Sequence, residues 1–146
     1  MKKIVYVDMD NVLVDFKTGI DKLNEDERAF YEGRYDEVPN IFSKMEPMKD
    51  SIESFRTLCE KYDTYILSTS PWENPTALND KLNWVKKYLG FHAHKRLILS
   101  HHKHLNMGDY LIDDRTKNGA DKFRGELILF GGIDYPDWES VIKYLI

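Results

Sequence analysis

Two carboxylates two residues apart, Asp8 and Asp10, close the first apolar run of the chain in the segment Asp8-Met9-Asp10-Asn11-Val12-Leu13. Just past a strand, acids at this spacing can be aimed at one point as the chain turns. One can then attack as a nucleophile while the other moves a proton. The pair alone is weak evidence, because short acidic pairs are common in solvated loops. Three later segments add to it. Leu67-Ser68-Thr69-Ser70-Pro71 offers hydroxyls and free backbone N–H groups where a strand would turn into a helix. That arrangement suits a phosphate oxygen, although it also suits an ordinary helix cap. Ser100-His101-His102-Lys103-His104 holds a lysine able to neutralise a phosphoryl oxygen, where a lone loop lysine is more often surface decoration. Ile112-Asp113-Asp114-Arg115 places two adjacent acids at the end of an apolar run. Such acids either cap a helix or hold a hard cation, and Mg²⁺ fits because it needs few carboxylates. Taken together, the four segments supply a nucleophile, a proton donor, a phosphate cradle, a cation and a metal site. Those are the parts of a phosphoryl-transfer site.

The elements that would position these residues are five short apolar runs: Ile4 to Val7, Thr64 to Leu67, Arg96 to Leu99, Tyr110 to Ile112 and Glu126 to Phe130. Continuous runs of this kind suit strands buried on both faces, as in a parallel sheet. Between them lie helical patterns. Asp50 and Glu53 read as a capping box before the inward face Ile52, Phe55, Leu58, Cys59 and Tyr62. A second helix starts near Pro75, with Leu78, Leu82, Val85 and Leu89 as its inward stripe and Gly90 as its C-cap. A last helix follows Pro136, with Trp138, Val141, Ile142 and Leu145 facing inward. This alternation predicts an α/β fold, a Rossmann-like doubly wound parallel sheet whose chemistry collects at the carboxyl ends of the strands. Residues 17–47 break the pattern. They are polar, charged and Tyr-rich, and read as a small helical cap inserted into a core formed by residues 1–16 and 48–146.

Composition narrows the function. A length of 146 residues suits one domain with a small appendage, and a net charge of −4 argues against binding a nucleic-acid polymer. A small phosphorylated substrate stays open. The single cysteine, Cys59, permits no intrachain disulfide and reads as a small core residue. The opening Met-Lys-Lys-Ile-Val-Tyr-Val-Asp turns acidic too early for a signal peptide, and no apolar run reaches the length of a membrane span. A reduced, cytoplasmic protein that keeps clear of membranes is expected, with monomer and homodimer both open.

The four segments resemble the motifs of the haloacid dehalogenase (HAD) superfamily, and its phosphatase branch in particular. More narrowly, Asp8 to Phe16, Ser68-Thr69-Ser70-Pro71, Trp84 to Gly90 and Leu111 to Arg115 resemble the 5′(3′)-deoxyribonucleotidases. Those hydrolases remove phosphate from nucleoside monophosphates and carry a small helical cap after the first motif. The resemblance implies a Mg²⁺ cofactor and a role for each matched residue. Asp8 would be nucleophile and metal ligand. Asp10 would be general acid and then base, its backbone carbonyl also binding the metal. Asp113 would be the third protein ligand, and Asp114 would orient a metal-bound water. Thr69, Lys103 and the backbone at Ser70 would hold phosphate oxygens, and Phe16 would pack near the base. Asn11 departs from the pattern, standing where the nucleotidases often have Gly, and Trp72-Glu73 replaces a lysine found in the mammalian enzymes.

Other residues carry two readings. Trp72 either touches substrate or packs locally. Tyr31, Tyr35 and Phe42 form either a base-stacking wall or the cap's own core. The five histidines between His92 and His104 lack the spacing of a structural zinc site. Rival functions are a phosphatase for another small phosphomonoester such as a sugar phosphate, and a catalytically inactive binding module. A signalling receiver domain fits poorly, because the third strand ends in Ser100 and not in an acid.

Overall fold

The first strand, β1 (Ile4–Val7), lies at the centre of the sheet, and the Asp8–Leu13 segment departs from it. The computed structural model describes residues 1–146. After β1 the chain makes a two-residue strand β2 (Val14–Asp15) and the helices α1 (Phe16–Ile20) and α2 (Glu25–Phe30). Single 3₁₀ turns follow at Tyr35–Glu37 and Ile41–Lys44, and β3 (Glu46–Pro47) returns antiparallel to β2. The remaining elements are α3 (Ser51–Lys61), β4 (Asp63–Ser68), α4 (Ala77–Tyr88), β5 (Leu97–Leu99), β6 (Tyr110–Asp113), β7 (Glu126–Leu129) and α5 (Trp138–Leu145). The main sheet has the order β5-β4-β1-β6-β7, and every neighbouring pair is parallel. All five expected strands are present, in the Rossmann-like arrangement.

The two faces of the sheet are unequal. Strand residues alternate between faces, so Val5, Val7, Ile66, Ile112 and Ile128 enter one large apolar cluster. There they meet Phe55 and Leu58 of α3, Trp84 and Val85 of α4, and Trp138, Val141 and Leu145 of α5. Tyr6, Leu67 and Leu111 point the other way, into a small cluster closed by Ala120 and Phe123. On that side the β6–β7 crossover carries one 3₁₀ turn, Ala120–Lys122, in place of a long helix. The inserted segment does not keep a core of its own: Leu23, Val38, Ile41, Phe42 and Met45 belong to the large cluster.

Two local expectations are corrected. Asp50 is not the acid of a capping box, because its backbone is left-handed (φ 65°) and its side chain makes no cap hydrogen bond. The buried Ser51 hydroxyl instead donates to Leu13 O at 2.8 Å, tying the start of α3 to the loop after β1. On α4 the expected stripe is rotated. Leu78 is 55% exposed and Leu82 38%, while Ala77, Asp80, Lys81, Trp84 and Val85 face inward. Leu78 and Leu82 instead flank edge strand β5, lining a groove with Leu97 and Leu99. The other helix faces are as read, and Gly90 takes the left-handed conformation (φ 59°) expected of a C-cap.

Candidate active site

The loop after β1 winds around one carbonyl. The backbone N–H groups of Val12, Leu13 and Val14 all donate to Met9 O, at 3.1, 2.9 and 3.0 Å. That tight turn needs a left-handed residue, and Asn11 takes it (φ 60°). Asn is among the few side chains that visit this region readily, which accounts for its standing where Gly is common. Trp138 Nε1 donates to Val12 O at 2.7 Å, so the last helix buttresses the loop. Asp8 and Asp10 are thereby held at the carboxyl end of the central strand, with Asp8 N donating to Ile112 O on β6 at 2.9 Å.

Lys103 joins the first and last motifs. Its Nζ lies 3.1 Å from Asp8 Oδ1 and 2.6 Å from Asp113 Oδ2, and all three side chains are buried. The Asp8, Asp113 and Asp114 carboxylates lie within 4.8 Å of one another. Burial pushes the Asp8 carboxyl above the usual range, an effect that Lys103 offsets only in part. Burial works against the Lys103 ammonium, but the facing Asp8 and Asp113 carboxylates outweigh it and hold its pKa above the ordinary value. Asp114 is pushed up to about 8, by burial first and then by the charge of Asp8. Its Oδ1 is buried without a hydrogen-bond partner. Three converging carboxylates and an orphaned oxygen make an acidic metal site, and hard oxygen donors of this kind fit a divalent cation such as Mg²⁺.

One member of the site is absent from the sequence reading. Lys81, on α4, has no exposed surface. Its Nζ donates to Ser68 Oγ at 2.7 Å, to Thr69 O at 3.0 Å and to Asp10 Oδ1 at 3.3 Å, and it sits over the Phe42 ring at 4.5 Å. Burial raises the Asp10 carboxyl above its usual range, with Lys81 pulling in the opposite direction. A lysine inside α4, four residues after its first residue Ala77, carries no local signal. Only the pairing of α4 with the β1 loop reveals it.

The Thr69-Ser70 segment divides. Thr69 lines the cleft beside Asp10 and Asp114, and its hydroxyl donates to Ser100 O at 2.8 Å. The Ser70 hydroxyl is buried and unpartnered, beside a smaller adjoining pocket that Trp72 and Pro75 also line. Trp72 is 84% exposed and meets the His101 ring edge-on. The cleft itself, about 640 Å³, is lined by Asp10, Phe16, Tyr35, Asp114 and Arg115 among others. Phe16 and Tyr35 thus reach the cleft, whereas Phe42 is buried core and Tyr31 packs against that core. The histidines join no metal-binding cluster. A second residue missed in the sequence, Asn74, ties the inserted segment to this loop: its buried Nδ2 donates to Asp36 O and Val38 O at 2.9 and 3.0 Å.

Comparison with known proteins agrees with this geometry. Residues 25–137 match the family described as 5′ nucleotidase, deoxy (pyrimidine), cytosolic type C protein. A protein of Vibrio phage KVP40, provisionally named a 5′(3′)-deoxyribonucleotidase, is 62% identical over 144 residues, covering 99% of this chain and 85% of the phage protein. The 5′(3′)-deoxyribonucleotidase of Bacillus subtilis is 25% identical, with both chains covered in full. The human cytosolic enzyme of that name is 28% identical over 94% of this chain and 78% of its own. In fold, the chain is similar to a HAD-hydrolase of Bacillus subtilis solved with magnesium, at a TM-score of 0.69 and 11% identity over 99% of this chain and 98% of that one. A HAD-superfamily hydrolase of Geobacter sulfurreducens gives a TM-score of 0.60 at 13% identity, over 99% and 97%. With its HAD-type core and its phosphatase constellation, this chain belongs to the 5′(3′)-deoxyribonucleotidase family of phosphoric monoester hydrolases.

Proposed function

We propose that the protein is a Mg²⁺-dependent phosphomonoesterase that removes phosphate from nucleoside monophosphates, deoxyribonucleotides foremost, through a phospho-aspartate on Asp8. The observation that carries this reading is the junction of Asp8, Lys103 and Asp113 beside the Lys81–Asp10 pair. The relatives named as deoxyribonucleotidases support the substrate, and the magnesium-bound fold relative supports the metal.

Held by the Asp8 and Asp113 carboxylates and the Asp10 carbonyl, with Asp114 behind them, Mg²⁺ would supply charge neutralisation between nucleophile and phosphate. The chain does the rest. An Asp8 oxygen attacks phosphorus as the ester P–O bond breaks, and Asp10 gives its proton to the leaving oxygen. Asp10, now a carboxylate, takes a proton from water as that water attacks phosphorus. The bond from phosphorus to the Asp8 oxygen breaks and free phosphate leaves. One acid thus serves both halves of the reaction, and Asp10's raised pKa suits its first role. Lys103 and Thr69, with the backbone at Ser70, would hold phosphate oxygens. Phe16 and Tyr35 would pack on the base. Trp72 would meet only a part of the substrate that extends beyond the cleft. Residues 17–47 form the cap on a core of residues 1–16 and 48–146, excluding water during turnover. No helix is long and apolar enough to cross a membrane.

The test is phosphate release with Mg²⁺ from deoxyribo- and ribonucleoside 5′- and 3′-monophosphates, with sugar phosphates and an aryl phosphate alongside. Preferential turnover of deoxynucleotides is expected. Turnover of sugar phosphates alone would overturn the substrate, and no turnover at all would overturn the enzyme reading.

A further inference from the structure

We propose that the cleft receives a nucleotide bearing a second phosphate, and that Arg115 and Lys117 bind that second group. The inference rests on the nucleotidase reading and goes one step beyond it.

Lys81 and Lys103 are already committed, the first to Asp10 and the second to Asp8 and Asp113. Arg115 and Lys117 are not. Both line the catalytic cleft, both are exposed, and neither side chain has an ion-pair or hydrogen-bond partner. None of the seven ion pairs of the protein involves Arg115 or Lys117.

Their backbone is fixed relative to the catalytic residues. Arg115 N donates to Asp113 Oδ1 at 3.0 Å, and Lys103 N donates to Asn118 O at 2.7 Å. Asn118 and Gly119 are both left-handed, and a Cβ on Gly119 would lie 2.2 Å from His104 Nδ1. The loop is therefore pinned at both ends, by the metal-site acid and by the phosphate lysine. It presents two unpaired cations beyond the reacting phosphate, on the same cleft as Phe16 and Tyr35. A nucleoside 3′,5′-bisphosphate has matching chemistry: one phosphate at Asp8, a base for the aromatic side chains, and a second anion on the sugar. The terminal phosphate of a short oligonucleotide offers the same pattern, with a diester as the second anion.

Binding is measured by calorimetry with Mg²⁺ on the Asp8→Asn protein, which prevents turnover; Asp10→Asn replaces it should Asp8→Asn fail to fold. The probes are thymidine 5′-monophosphate, thymidine 3′-monophosphate, thymidine 3′,5′-bisphosphate and a 5′-phosphorylated thymidine dinucleotide. Two exposed charge-assisted contacts predict about tenfold tighter binding of the bisphosphate than of either monophosphate, a margin that shrinks with added salt. Adding Arg115→Gln and Lys117→Gln brings the ratio to about one. Tight binding of the dinucleotide as well would identify a diester as an acceptable second anion. Equal affinity for mono- and bisphosphate in the unaltered loop overturns this inference and leaves the nucleotidase reading standing. An equal loss for both on loop substitution also overturns it, since the cations would then serve the reacting phosphate. Failure of every nucleotide to bind overturns both.

Discussion

Lys81 Nζ and Asp10 Oδ1 lie 3.3 Å apart although 71 positions separate them in the chain. The lysine is wholly buried, while the Asp10 side chain opens on the cleft at one-fifth exposure. The pair therefore fixes from behind the carboxylate proposed to transfer the proton, and leaves its other oxygen facing the cleft. Lys81 also donates to Ser68 and Thr69, so one ammonium sets the acid and the phosphate loop together.

The first prediction concerns that lysine. Lys81→Met should lower kcat on a nucleotide by about 100-fold or more, the scale of general acid catalysis. The loss should be much smaller for an aryl phosphate with a good leaving group, which needs no proton. Parallel kinetics on the two substrates checks this. Equal losses would mean that Lys81 acts through the phosphate loop or the second half-reaction and not through protonation of the leaving group. Leaving one partner of a buried pair should also cost about 3 kcal/mol in stability, measured by denaturant unfolding.

Metal binding should be visible without catalysis. A cation that binds only the folded chain stabilises it by about 2.7 kcal/mol at a hundredfold excess over its Kd. For a chain of this size that is a rise in Tm of about 5–10 °C. Melting with Mg²⁺ and with excess chelator checks it. An unchanged Tm would contradict the acidic metal site.

Asp114 is a half-buried carboxylate beside Asp8, with one oxygen buried and unpartnered. Asp114→Asn removes the cost of holding that carboxyl, largely protonated, beside Asp8. The metal-free variant should melt about 2–4 °C higher, equivalent to about 1 kcal/mol. Its Mg²⁺-induced rise in Tm should shrink at the same time. Calorimetric melts with and without metal separate the two effects. A lower metal-free Tm would show that the carboxylate is structurally satisfied.

The buttress from the last helix can be tested separately. Trp138→Phe deletes the indole donor to Val12 O, 126 positions away, and leaves a buried carbonyl unpaired. The expected cost is about 1–3 kcal/mol. Because Val12 belongs to the loop that aims Asp10, kcat should also fall. A destabilised variant with unchanged kcat would show that the loop holds its shape without the tryptophan.

The strands and the four motifs were legible in the sequence because each is a local signal. Ile4–Val7 and Tyr110–Asp113 are short apolar runs ending in acid, and a central parallel strand buried on both faces has little choice but to be apolar. The inward face of α4 was not legible. Leu78 and Leu82 suggest a stripe, yet the helix turns Lys81 inward because Asp10, Ser68 and Thr69 satisfy its charge there. A buried charge is defined by partners that periodicity cannot see. Asp50 failed in the same way: its spacing to Glu53 fits a capping box, but its left-handed backbone removes it from that role. Asn74 was missed because its carbonyl partners, Asp36 and Val38, lie in the inserted segment. Thr69 and Ser70 look equivalent in sequence, but Thr69 lines the cleft while the buried Ser70 lines the smaller adjoining pocket.

The account depends above all on Asp8 as the nucleophile. The most direct measurement is Mg²⁺-dependent phosphate release from a deoxynucleoside monophosphate by the unaltered protein and by Asp8→Asn, with circular dichroism confirming that both are folded. The account predicts turnover by the first and none detectable by the second. Turnover by folded Asp8→Asn at a comparable rate would contradict it, because the amide cannot form the phospho-aspartate.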